Sequence, residues 1–157
     1  MKDVVTFTRI DLPTGWLSNM SQHPVESAGM EWRTVEALFQ SLRFNDDDIK
    51  ELIRAERSPM SAKEIMKENA EHFSVQPHST KDVRNMKMCL KIKLKYHPLL
   101  VEKLLETEDK TIIEDVTNRG DVGGNLFWGA MLIDGEWHGA NVLGNLWMEI
   151  REELKNK

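Results

Sequence analysis

The stretch Thr34-Val35-Glu36-Ala37-Leu38-Phe39-Gln40-Ser41-Leu42-Arg43-Phe44 constrains this chain more than any other. Val35, Leu38, Phe39 and Leu42 recur at helical spacing and predict a face turned towards a core. Glu36, Gln40 and Arg43 stand at i, i+4 and i+7, so they stack on a second face. Thr34 suits an N-cap, which places Glu36 in the first turn, where the helix dipole favours an ionised carboxylate. A carboxylate, an amide and a guanidinium held along one stripe can receive a polar, anionic ligand. The same stripe also fits a solvated helix surface whose N-terminal glutamate merely stabilises the helix.

The 157 residues suffice for one domain with a real core, and a single domain over 1–157 is expected. A net charge of −5 argues against a general nucleic-acid coat protein, although the lysines between 87 and 95 leave room for a local basic groove. No apolar run is long enough to span a bilayer, and the first residues lack the apolar stretch of a secretion signal. A cytoplasmic, reducing setting is therefore expected. The single cysteine, Cys89, excludes an intrachain disulfide and a cysteine-based zinc site. Its neighbours Met86, Met88 and Leu90 predict a buried, inert thiol. His23, His72, His78, His97 and His138 show no ligand spacing, so no metal is expected.

Residues 4–8 predict a short strand, and Leu12-Pro13-Thr14-Gly15 a turn. Ser18 and Asn19, between Leu17 and Met20, suit a polar loop that holds backbone or reaches a ligand. Residues 25–32, broken at Ala28-Gly29, predict a hairpin leading into the central helix. Asp46-Asp47-Asp48 predicts the cap of a helix over 49–57. Adjacent aspartates on a cap do not converge on a metal, and dipole stabilisation accounts for them. Ser58-Pro59 opens a third helix, with Met60, Ile65 and Met66 as core candidates. Lys63 lies near its start, where the positive dipole end does not favour a lysine.

Residues 71–79 read as a loop. A fourth helix is expected over 80–96, with Val83, Met86, Leu90 and Leu94 inward, and a fifth over 99–106. Residues 111–116 predict a strand. The glycine-rich segment 118–125 lacks the spacing of a phosphate-binding P-loop. Phe127-Trp128-Gly129 is expected to begin a strand or line a ligand, and Asp134-Gly135 to turn. The last helix is expected over 141–154. Its start offers small residues and bare N–H groups to an anion, or Gly144 serves only close helix packing.

Several of these separated motifs agree with one family. They are Leu17-Ser18-Asn19-Met20; Trp32 and Thr34 with Glu36, Phe39-Gln40 and Arg43-Phe44; Ser58-Pro59-Met60 with Ala62-Lys63; and Met86 and Leu90 ahead of Lys93. Further along come Leu104-Leu105, Thr107 and Glu114; Phe127-Trp128-Gly129; and 139–144 followed by Met148-Glu149 and Arg151. In order and spacing, over nearly the whole chain, it resembles the NADAR family. Members of that family include N-glycosidases that destroy early riboflavin-pathway intermediates and enzymes that remove ADP-ribose from guanine bases in DNA. The chain departs from the family at His78, where members often carry a tryptophan. It departs again at Asn125, where many carry an aspartate; an amide is no general base unless Asp121 substitutes. Arg43 stands where the riboflavin-intermediate enzymes have lysine, so Arg43-Phe44 with Ala62-Lys63 looks more like the ADP-ribosyl branch.

The resemblance implies cleavage of a bond between ribose C1′ and an amino nitrogen. Positive charge then grows on the sugar, and a fixed carboxylate near C1′ stabilises it or activates water. Glu36 is the residue expected in that role. A neutral lysine instead attacks C1′ and forms a Schiff base through the opened sugar. Lys63 and Lys93 fall on family motifs, and Lys63 is the expected nucleophile. A solvated lysine on a helix is the other reading of Lys93, and mere phosphate binding the other reading of Lys63. The expected substrate contacts are Ser18, Asn19, Gln40, Arg43, Lys93, Asn125, Trp128, Gly129, Asn141 and Gly144. Among them, Trp128 offers a flat face or packs in the core, Asn19 and Asn141 reach ribose hydroxyls, and Arg43 pairs with phosphate.

The expectation is a mainly helical α+β domain with a small β-sheet, needing no cofactor and no metal. Its partner is an ADP-ribose- or ribose-phosphate-bearing substrate, with ADP-ribosylated guanine in DNA favoured. The alternatives are a riboflavin-pathway ribosylaminopyrimidine phosphate, or a non-catalytic module that binds ADP-ribose or NAD.

Overall fold

The computed structural model describes residues 3–120 and 122–157; Asp121, the substitute considered for Asn125, lies outside the described residues. In chain order the elements are β1 Val4–Phe7, β2 Val25–Ser27, β3 Met30–Trp32, α1 Val35–Ser41, α2 Asp47–Ala55, α3 Pro59–Glu68 and α4 Thr80–Tyr96. They continue with α5 Leu99–Glu106, β4 Thr111–Glu114, α6 Asn125–Trp128, β5 Met131–Ile133, β6 Glu136–His138 and α7 Val142–Lys155. This is the expected mainly helical α+β class. The sheet content comes as separate two-stranded ladders, β1 with β4, β2 with β3 and β5 with β6. The expectation of a strand beginning at Phe127 is corrected. Trp128 N–H donates to Gly124 C=O and Gly129 N–H to Asn125 C=O, which closes a single helical turn ahead of β5.

The chain divides into two compact units, residues 19–97 and residues 1–18 with 98–157. The 19–97 unit is built by local signals. Ala28 and Gly29, both at positive φ, turn the β2–β3 hairpin. Thr34 accepts from Ala37 N–H at the start of α1, Asp46 from Ile49 N–H at α2, and Ser79 from Asp82 N–H at α4. Ser58 caps α3 with Pro59 at its first position. The core gathers Leu38, Phe39, Phe44, Ile49, Ile53, Ala62, Met66, Leu90 and Leu94. Met60, expected inside, is 59% exposed. Ala62 and Met66 define the buried face of α3 at i and i+4, and Met60 points away from it.

In the other unit β1 and β4 pair in parallel, with Val4 opposite Thr111 and Phe7 opposite Glu114. Helix α7 packs on β4 and also meets α5 and α6. Trp147 is fully buried, donates from Nε1 to Leu17 C=O and meets Trp16 edge-on. Arg151 donates from Nη1 to Thr107 Oγ1 and Lys110 C=O, tying α7 to the segment that leads into β4.

Candidate functional site

Helix α1 and the turn that follows it deliver the whole polar stripe to the interior. Glu36, Gln40 and Arg43 are all buried, so the solvated-surface reading of this face is overturned. The spacing brings the side chains into a relay of hydrogen bonds. Gln40 Nε2 donates to Glu36 Oε1 at 2.7 Å, and Arg43 Nη1 donates to Gln40 Oε1 at 3.1 Å. Arg43 then turns to α4, where Nε and Nη2 meet the two oxygens of Asp82 at 3.0 and 2.8 Å. This bidentate pair holds charge and geometry together. Its guanidinium also lies 4.8 Å from the Phe39 ring centroid. Arg43 was expected to pair with phosphate, but its fork is committed to a carboxylate. Arg43 aligns the amide that aligns Glu36.

Glu36 is thereby fixed by one oxygen. Among the described residues, Oε2 receives no hydrogen bond. Asn19 lies at the start of α1, its C=O accepting from Glu36 N–H at 3.1 Å. The Asn19 side chain donates to Met86 Sδ, while its Oδ1 is buried without a hydrogen-bond partner among the described residues. Trp32 Nε1 is in the same state. A buried, unpaired polar atom is costly, and each such atom in a folded interior calls for an explanation. A donor on a bound ligand would satisfy Asn19 Oδ1.

Asp82 was not singled out in the sequence. Ser79-Thr80-Lys81-Asp82 reads there as a helix start, and Asp82 indeed has its N–H capped by Ser79. Its complete burial against Arg43 is a tertiary fact. Asp82 Oδ2 also accepts from His78 N–H at 2.9 Å, which holds the left-handed backbone of His78. The His78 ring is exposed, and its pKa lies below the ordinary histidine value through partial desolvation and the Arg43 charge.

Lys93 is fully buried, which overturns both the solvated-lysine reading and its part in a surface basic groove. Burial destabilises its ammonium and brings the pKa down to about 7. Its Nζ donates to Ser21 Oγ at 2.8 Å. Lys63, by contrast, is half-buried on α3, the helix packed against α1. Cys89 is buried, and desolvation with the Glu36 charge raises its pKa, in keeping with an inert thiol.

The remaining expected residues belong to the other unit. Ser18 is buried at the end of a 3-10 turn, and Asn125 donates from Nδ2 to Gly120 C=O. Trp128 is half-buried and meets Phe127 edge-on with ring centroids 4.9 Å apart, so it is not a core tryptophan as Trp32 and Trp147 are. Gly129 is required by packing, because a Cβ there would lie 2.6 Å from Glu114 O. Asn141 corrects an expectation. Its Nδ2 donates to Ile112 C=O and its Oδ1 accepts from Glu114 N–H, so its amide pairs with β4 in place of a ribose hydroxyl. Gly144 likewise serves close packing. A Cβ there would lie 2.1 Å from Ile112 O.

Comparison with known proteins agrees with this architecture. The NADAR domain family matches residues 6–155. The N-glycosidase YbiA of Escherichia coli is 30% identical over 151 residues, spanning 96% of this chain and 88% of that protein. An N-glycosidase of Nostoc punctiforme is 28% identical over 155 residues, 97% of this chain and 93% of the relative. A riboflavin biosynthesis protein of Vibrio vulnificus is 28% identical across 99% of this chain, which covers 40% of that longer protein. The NMR structure of Escherichia coli YbiA superposes with a TM-score of 0.81 at 28% identity, over 99% of this chain and 86% of that one. With nearly its full length matched and the fold shared, the chain belongs to the NADAR domain family, and its relatives from Escherichia coli and Nostoc punctiforme are named N-glycosidases.

Proposed function

We propose that residues 1–157 work as one NADAR-like domain and that the protein is an N-glycosidase. It hydrolyses the bond between C1′ of a phosphorylated ribosyl or ADP-ribosyl group and an amino nitrogen of a base. The observation that carries this reading is Glu36, a buried carboxylate locked through one oxygen by Gln40, with the other oxygen clear of that lock. A carboxylate of fixed position and low solvation stabilises the charge that develops on the sugar as the C1′–N bond breaks. It also takes the proton of the attacking water. The unpaired Asn19 Oδ1, on the residue whose backbone meets Glu36, suits a ribose hydroxyl donor.

For the covalent route we retain Lys63, half-buried on α3. Attack by Lys63 Nζ displaces the base nitrogen, the ring opens at O4′, and water hydrolyses the resulting Schiff base to return the amine. Ser18, Asn125, Trp128 and Gly129 remain proposed substrate contacts. Gln40 and Arg43 position Glu36.

ADP-ribosylated guanine in DNA is the substrate we propose, on the Arg43-Phe44 and Ala62-Lys63 pattern. The name of the Vibrio relative favours a second reading, a ribosylaminopyrimidine phosphate of riboflavin synthesis. Mass spectrometry of sugar released from an oligonucleotide carrying ADP-ribosyl-guanine decides between them. Release by wild type and not by Glu36→Gln supports both the substrate and the carboxylate. Release only from the pyrimidine substrate moves the protein to the second reading. Tight ADP-ribose binding with no release from either makes it a binding module. Borohydride trapping that is lost in Lys63→Ala supports the adduct, and trapping that survives removes Lys63 from the role.

A further inference from the structure

Lys93 is enclosed, yet one hydrogen bond from it leads outward. Lys93 Nζ donates to Ser21 Oγ at 2.8 Å, and Ser21 Oγ lies 2.8 Å from His23 Nδ1. Ser21 is buried and His23 half-exposed, so the three groups run from the interior to the surface. His97 braces the outer end. Its ring stands edge-on to His23, with centroids 4.9 Å apart and an interplanar angle of 87°. His97 is itself fixed at 2.6 Å from Pro24 C=O, an acceptor that requires the proton on Nε2. The motif is assembled from the segment before β2 and the last turns of α4, which pack together.

From this geometry we infer that Ser21 and His23 form a proton path between Lys93 and solvent, and that Lys93 is a general acid–base group. In one direction Lys93 Nζ passes a proton to Ser21 Oγ as the Ser21 hydroxyl proton moves to His23 Nδ1. The imidazolium then releases a proton from Nε2 to water, leaving a neutral amine, a hydroxyl and a neutral imidazole. The reverse sequence recharges the amine. A serine alone cannot exchange protons with bulk water from a buried position, whereas a half-exposed imidazole presents one ring nitrogen as donor and the other as acceptor. Burial lowers the affinity of the enclosed amine for its proton, which favours its release along the path. The ionisable groups on the elements packed against α4 are Glu36 of α1 and the exposed Glu26 of β2; α4 itself carries Lys81, Asp82, Arg84, Lys87, Cys89, Lys91, Lys95 and Tyr96 besides Lys93. The path stands on this geometry. Its use in turnover rests on the glycosidase reading, in which Lys93 would exchange protons with the leaving amine.

The test separates the two. Exchange of the Lys93 Nζ protons with water is measured by NMR on lysine-labelled full-length protein, alongside turnover. We expect Ser21→Ala and His23→Gln each to slow exchange ~10-fold or more, while Ser21→Thr, which keeps the hydroxyl, exchanges like wild type. Added imidazole is expected to restore exchange in His23→Ala, a recovery that a purely structural histidine does not give. Exchange unchanged in Ser21→Ala and His23→Gln, or His23→Ala beyond the reach of imidazole, overturns the path. If exchange slows and turnover stays at the wild-type level, the path stands and its catalytic use is refuted.

Discussion

The two units bury polar groups in opposite ways. The interior of 19–97 holds ionisable side chains that bond to one another: Glu36 through Gln40 to Arg43 and Asp82, and Lys93 to Ser21. The other unit spends its buried polar side chains largely on backbone. Asn141 pairs with β4, Trp147 donates to Leu17 C=O, and Arg151 reaches Lys110 C=O. Side chains bonded to backbone fix shape, because the partner cannot change its charge. Side chains bonded to each other in a low-dielectric interior hold charge in place at a cost in desolvation, which is the arrangement a reacting site needs. On the glycosidase reading, we propose the first interior for the reacting groups and the second chiefly as scaffold.

The sharpest way to break that assignment is Glu36→Gln. It keeps the size and the bond to Gln40 but removes the carboxylate. Release of sugar is expected to fall ~10²–10⁴-fold with the urea midpoint nearly unchanged. Wild-type release would return Glu36 to a structural role.

Removing one partner of the buried ion pair comes next. Asp82→Ala leaves the Arg43 guanidinium enclosed without its carboxylate, and equilibrium unfolding is expected to lose ~3–5 kcal/mol. The double change Arg43→Met with Asp82→Leu should recover most of that stability but not the activity, since Gln40 loses its anchor.

Lys93 gives a pH-dependent contrast. Its folded pKa is lowered from 10.5 to about 7, so below that value the folded state carries an enclosed ammonium that the unfolded chain solvates. The penalty is full below about pH 7 and fades as pH rises towards the unfolded pKa, because there the unfolded state binds more protons. Lys93→Met should therefore stabilise the protein by roughly 2–4 kcal/mol near pH 6, and the gain should shrink towards pH 10 in parallel urea titrations. A gain independent of pH would show that the amine is charged in the fold throughout.

In the scaffolding unit, Gly144→Ala should act on stability alone. The new methyl meets Ile112 O, and α7 must move off β4 at a cost of ~1–3 kcal/mol by denaturant unfolding. A loss of turnover beyond the fraction unfolded would mean that this unit takes part in the chemistry.

What could be read in advance was local. The caps at Thr34, Asp46, Ser58 and Ser79, the hairpin turn at Ala28-Gly29 and the helical period of α1 and α4 each involve residues a few positions apart. Nearest-neighbour sterics and hydrogen bonding determine them. Glu36, Gln40 and Arg43 were legible as one stripe for the same reason. The turn over Asn125–Trp128 escaped, because a short apolar run with glycines at both ends has no period to read.

The sequence by itself thus determined the helices, their caps, the family and the stripe that carries Glu36. Only the tertiary structure decided that the stripe faces inward. It also decided that Arg43 meets a carboxylate 39 residues away and that Lys93 meets a serine 72 residues away. An amphipathic helix shows which residues share a face, not what covers that face. A second polar face is recognised as interior only when the elements opposite it supply matching charge. Asp82 supplies it to Arg43, and Ser21 gives Lys93 a hydroxyl acceptor; neither carries a local mark that says so.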